Sequence, residues 1–191
     1  IFDQTPFYAE SGGQTGDTGI IQEDGHVIAN VFDCHKPVDG LFAHFSKDAD
    51  ALQEGKTYTL SIDSKKRMLT ARNHSATHLL QAALTQVLGG HIKQAGSMVS
   101  SERLRFDFTH PTALSKEELR EVEKIVNEKI NQHLPVNASV VEKEQAIKRG
   151  AVALFGEKYG NQVRVLEIGN VSTELCGGTH VTNTSEIGFF S

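Results

Sequence analysis

Two pairs of residues, His74 with His78 and Cys176 with His180, offer four side chains that can each give an electron pair to a transition-metal ion. In NHSATH, residues 73–78, the histidines stand four apart, and on a helix that spacing puts them on one face, about one turn apart. In ELCGGTHV, residues 174–181, the cysteine and histidine flank Gly177 and Gly178, whose lack of a Cβ lets the backbone fold sharply. Cys-x-x-x-His alone also fits a plain tight turn beside a buried cysteine; the partner histidine pair is what gives it weight. Three imidazoles and one thiolate suit zinc, whereas magnesium and calcium take oxygen donors. Peptide hydrolysis by the His-Glu-x-x-His route is excluded, because Ser75 stands where that chemistry needs its general-base glutamate.

The other histidines, His26, His35, His44, His91, His110 and His133, lack ligand spacing and read as surface or satisfied core residues. Cys34 reads as a small buried apolar residue with His35 incidental beside it. Two cysteines in 191 residues rule out a disulfide framework and fit a reduced, cytoplasmic setting. No apolar run is long enough for a membrane helix, and neither a membrane span nor a signal peptide is expected. The start at Ile1 and the end within an apparent strand suggest a segment of a longer protein. A net charge of −5 argues against a wide basic surface for nucleic acid. A local patch remains: Lys65, Lys66, Arg67 and Arg72, with Arg103 and Arg105 as further candidates, form either a phosphate-binding edge or an ordinary solvated helix start.

The elements that must position these groups follow from pattern. Residues 64–88 contain neither proline nor glycine, space Met68, Leu69, Leu79, Leu80, Ala83, Leu84 and Val87 in helical fashion, and run into Gly89-Gly90. This predicts a helix carrying both histidines. A second helix is expected from Ser115 to Leu134, opened by a Ser115-x-x-Glu118 capping box, with Leu119, Val122, Ile125, Val126 and Ile130 on its core face. A short helix is expected in EQAIKR. Strands are expected in SERLRFDF, VNASVVEK, AVALF and QVRVLEIG. Residues 1–63 read as β structure, with hairpins at Asp24-Gly25 and near Asp39-Gly40 and a strand in TYTLSID. The glycine-rich FYAESGGQTGDTG fits neither phosphate-loop nor dinucleotide spacing and reads as a loop that approaches a ligand closely. The expected fold is therefore α+β, a small β domain over 1–63 followed by an α+β domain over 64–191.

Four stretches in this order, TPFYAESGGQTGDTG, RNHSATHLLQAAL, QAGSMVSSERLRFDF and ELCGGTHV, resemble the editing region of bacterial alanyl-tRNA synthetases over essentially the whole chain. The resemblance implies a β-barrel-like first domain and an editing core shared with threonyl-tRNA synthetases and freestanding AlaX-type deacylases. It implies Zn(2+) on His74, His78, Cys176 and His180, and a place near the editing pocket for Gln14. It further implies hydrolysis of Ser-tRNA(Ala) and Gly-tRNA(Ala), with the acceptor end of tRNA(Ala) and the remaining synthetase domains as partners. Without an aminoacylation domain the segment is not expected to charge tRNA. Gln14 and Cys176 are the candidate catalytic residues; Gln14 with Thr15 or Thr179 is the candidate for recognising the serine hydroxyl. Whether Cys176 yields its place to water or substrate, or zinc only organises the pocket, stays open at this point.

Overall fold

A computed structural model describes residues 1–151 and 160–191. The first 62 residues build a four-stranded antiparallel sheet from β1 (Gly19–Glu23), β2 (His26–Val38), β3 (Leu41–Ser46) and β4 (Thr59–Ile62), in the order β3-β2-β1-β4. Both expected hairpins form. Asp24 and Gly25 have φ of 49° and 82°, the two positive values that a two-residue turn between twisted strands requires. The ladders leave β3 and β4 on opposite edges, so the sheet is open and the barrel is not closed. Its apolar face, with Phe7, Ala9, Ile21, Ala29, Val31 and Cys34, makes a core of its own.

Helix α1 spans Ser64–Leu88, as its pattern predicts, with the Asp63 carboxylate accepting from Lys66 N–H and Gly89 (φ 108°) ending it. From His74 to Leu79 every residue is buried, so this part of the helix is covered on all sides. The hairpin of β5 (Gln94–Val99) and β6 (Leu104–Phe108) follows; β5 escaped the pattern reading because QAGSMV is short and interrupted by Gly96. Helix α2 runs Lys116–Asn131 behind its Ser115 capping box and stops short of Leu134. His133 adopts φ 52° and Leu134 precedes Pro135, a position that disfavours helix. Val122, Ile125, Val126 and Ile130 are buried as expected, but Leu119 is 54% exposed because the first turn of α2 projects past the core.

A three-stranded antiparallel sheet, β7 (Val136–Glu142), β8 (Gln162–Ile168) and β9 (Ser172–Leu175) in that order, completes the α+β fold, with α3 (Lys143–Lys148) between β7 and β8. The expected AVALF strand falls outside the described residues except for Ala151. Alternation along β8 sends Leu166 and Ile168 into the core with α1 and α2, and Val163 and Val165 to the face under Ala146 of α3.

The two parts are tied at the glycine-rich loop. Gly13 (φ 83°) lies so close to β5 that a Cβ would sit 2.4 Å from Ser97 O. Val99 N–H donates to Gly13 O at 2.8 Å, and Thr15 N–H to Val99 O at 3.0 Å. One turn into α1, Arg67 Nε donates to both carboxylate oxygens of buried Asp17 at 2.9 and 3.0 Å, while its Nη2 donates to Asp17 Oδ2 and to Pro6 O. Arg67→Met would leave that carboxylate without its cation. We expect urea unfolding to show a loss of about 2 kcal/mol, below the roughly 3–5 kcal/mol of a fully dry pair because Arg67 is partly exposed.

Candidate metal centre

Residues from α1 and from the turn after β9 meet at one point. The nearest donor atoms of His74, His78, Cys176 and His180 all lie within 4.8 Å of one another. Cys176 Sγ is 3.2 Å from His180 Nε2 and 3.5 Å from His74 Nε2. A tetrahedral zinc with bonds of about 2.0–2.3 Å sets its ligands about 3.3–3.6 Å apart. His78 Nε2 is buried with no hydrogen-bond partner among the described residues. An orphaned ring nitrogen facing a thiol and two imidazoles fits a metal ligand. The residues present therefore fit zinc.

The outer nitrogens explain how the rings are oriented. His74 Nδ1–H donates to Gln14 Oε1 at 2.7 Å, and His78 Nδ1–H to Glu174 Oε2 at 2.9 Å. His180 Nδ1 shares a 3.2 Å hydrogen bond with Ser75 Oγ, which also accepts from Val181 N–H. Holding Nδ1 outside turns each Nε2 inward. Sequence reading assigned Gln14 but missed Glu174 and the role of Ser75. The available signal was spacing: Glu174 stands two residues before Cys176 at the end of a strand, where alternate residues point the same way.

Gln14 is fully buried. Its Oε1 also accepts from Thr179 N–H at 2.8 Å and its Nε2 donates to Thr179 Oγ1 at 2.9 Å. Gln14 thus pins the His74 ring and the glycine turn together. Arg164 on β8 braces the same turn, Nη1 donating to Cys176 O and Gly178 O, each at 2.8 Å. Thr15 is directed elsewhere, into a hollow lined also by Phe32, Lys66 and Ser101.

Electrostatics fit the same picture. Burial opposes ionisation of the Cys176 thiol, yet the imidazoles of His180, His74 and His78 outweigh it and lower its pKa to about 2, the thiolate form that ligates metal. Burial holds His180 down at about 3, hence neutral. For His78 burial also works downward, but the Glu174 carboxylate wins and raises it to about 10, so that without an ion the ring is an imidazolium and a metal would take the place of its Nε2 proton; burial pushes Glu174 up, and His78 brings it below its usual range. Cys34 behaves as an inert core thiol, raised to about 11 by burial first and by Asp17 and Asp33 next. A second group, Glu10, Asp33 and His35, is partly exposed, and Asp33 and His35 pair at 2.8 Å.

The basic candidates do not act alike. Lys65 and Lys66 are exposed at the start of α1, and Arg103 is exposed in the β5–β6 turn. Arg105 pairs with Asp107 at 3.2 Å, and Arg67 is committed to Asp17. Arg72 is half-buried, its Nε lacking a partner among the described residues.

Gly178 distinguishes a built site from a chance turn. A Cβ there would lie 2.1 Å from His74 Cε1 and 2.8 Å from Gln14 Oε1, whereas one on Gly177 meets nothing within 4 Å. Gly178→Ala should cut the zinc content of purified, zinc-supplemented protein severalfold or more, and Gly177→Ala should leave it at the parent level. Replacing both His74 and His78 with alanine should abolish it; stoichiometric zinc in that variant would remove the site.

Comparison with known proteins agrees with this layout. The family model for the threonyl and alanyl tRNA synthetase second additional domain matches residues 163–191, which hold Cys176 and His180, and the model for tRNA synthetases class II (A) matches residues 1–66. The chain is 52% identical over 190 residues to an alanine–tRNA ligase of Acetivibrio thermocellus, covering 99% of this chain. It is 52% identical over 191 residues to that of Pelotomaculum thermopropionicum, and 51% identical over 193 residues to that of Thermotoga petrophila, each covering 100% of this chain. It spans 22% of the length of each of these relatives. Matched end to end in this way, the chain fits an editing-domain fragment of an alanyl-tRNA synthetase.

Proposed function

We propose that this chain is an aminoacyl-tRNA editing hydrolase that deacylates Ser-tRNA(Ala) and Gly-tRNA(Ala), with one zinc on His74, His78, Cys176 and His180. The observation that carries the reading is the buried three-histidine, one-cysteine cluster in a chain similar throughout to alanine–tRNA ligases. The physical need is plain: a pocket built for alanine cannot exclude glycine by size and rejects serine poorly, so a second, hydrolytic site is required. Residues 1–63 serve as the small β domain and 64–191 as the editing core. This division is supported by apolar clusters drawn from residues up to 62 on one side and from 76 onward on the other.

The bond to break is the ester between the aminoacyl carbonyl and the terminal ribose. When bound, zinc on four protein ligands would organise the pocket, and it would supply Lewis acidity where one ligand yields its position to water or substrate. Cys176 stays a thiolate, and Gln14, packed behind His74, acts as a positioning residue with no exposed surface for substrate. Thr179 is better placed for selectivity. Its Oγ1 accepts from Gln14, leaving its own O–H without an acceptor among the described residues and free to donate to a serine hydroxyl. Alanine in that position leaves the group unpaired, a cost of roughly 1–3 kcal/mol, or about one to two orders of magnitude in rate.

A deacylation assay with Ser-, Gly- and Ala-tRNA(Ala) tests the activity: the first two esters should be hydrolysed and the third should survive. An intact seryl ester would leave a tRNA-binding module. Thr179→Val should lower seryl deacylation about tenfold more than glycyl deacylation, with zinc unchanged; an equal loss would assign Thr179 to pocket structure. Charge reversal at Lys65 and Lys66 should weaken tRNA binding and make it less sensitive to salt, the slope falling by about one for each phosphate these side chains neutralise. An unchanged slope would make these lysines a solvated helix start.

A further inference from the structure

We propose that Glu174 is the anionic positioning residue of the metal centre, fixing the tautomer of His78 and supplying the negative charge that the ligands alone do not. This rests on the zinc reading above.

Ser172 and Glu174 lie two apart on β9, and Cys176 is the first residue beyond the strand; Glu174 and Cys176 both reach histidines of α1. Cys176 meets the cluster directly, while Glu174, only 4% exposed, stops one ring further out and accepts from His78 Nδ1–H at 2.9 Å. Its second oxygen accepts from Ser172 Oγ–H at 2.5 Å. The carboxylate is therefore held at both ends, and the relay Ser172–Glu174–His78 fixes Nδ1 on the outside, leaving Nε2 as the buried nitrogen without a hydrogen-bond partner among the described residues.

The charge balance makes this contact different from those of Gln14 and Ser75. Three neutral imidazoles and one thiolate leave one positive charge of a divalent ion uncompensated. Arg164, on the carbonyls of Cys176 and Gly178, adds another cation nearby. Charge in a dry interior is costly unless paired. Among the described residues Glu174 is the one carboxylate in contact with a ligand. Gln14 and Ser75 orient rings without bringing charge.

Zinc affinity measured by chelator competition, with cobalt(II) absorption as a probe of ligand geometry, tests this on the parent chain, Glu174→Gln and Glu174→Ala. Glu174→Gln keeps the shape and an oxygen acceptor but removes the charge. It should bind zinc about 10- to 100-fold more weakly, with circular dichroism and the cobalt–thiolate band of the parent retained. Glu174→Ala should lose at least as much, and if it fails to fold the glutamine variant carries the test. Affinity within twofold of the parent in Glu174→Gln overturns the proposal, including the case where only Glu174→Ala is weakened, since geometry alone would then explain the contact. A parent chain that takes up no zinc would remove the zinc reading itself and this inference with it.

Discussion

Three imidazoles can share one ion only if each turns one unprotonated nitrogen inward, here Nε2 in all three, and much of this fold is arranged to meet that demand. The outer nitrogens are held by Gln14 from the N-terminal loop, Ser75 from α1 and Glu174 from β9. Each holder is itself fixed: Gln14 by Thr179, Ser75 by Val181 N–H, Glu174 by Ser172. A ring nitrogen left facing apolar side chains would cost free energy, so the constraint extends outward through every partner.

This accounts for the burial of α1. An ordinary surface helix hides one stripe, as α2 does with Val122, Ile125, Val126 and Ile130. The stretch from His74 to Leu79 is covered by the glycine-rich loop, the Cys176–Val181 turn and the core beneath. Ser75, Ala76 and Thr77 are small enough to let those segments approach between the histidines. Gly178 completes the fit, because the turn runs against the His74 ring with no room for a Cβ.

The N-terminal sheet belongs to the same logic through its loop. Gly13 lies against Ser97 O and Gly16 against Cys34 O, closer than any side chain permits. Asp17 clamps Arg67 one turn into α1. The glycines give this loop close approach on both sides, and the result is a rigid delivery of Gln14 to a histidine sixty residues away in sequence.

What depends on local spacing was legible before any folding was considered. The helix of residues 64–88 with its paired histidines, the capping box at Ser115, the two hairpins, and the cysteine and histidine around a glycine turn are all signals carried by neighbouring residues. The family was legible too, since four motifs in fixed order are hard to match by chance. Which polar side chains serve the cluster, and which cations are already spent, emerged only on folding. Lys65, Lys66 and Arg67 look alike in sequence, yet only Arg67 meets a buried carboxylate, supplied by Asp17 fifty residues earlier. Glu174 and Gln14 read as an ordinary strand carboxylate and a loop amide; they become partners of His78 and His74 only when strand, loop and helix close on one another. The physical reason is that a hydrogen bond depends on distance in space, and that distance between segments far apart in sequence is set by packing.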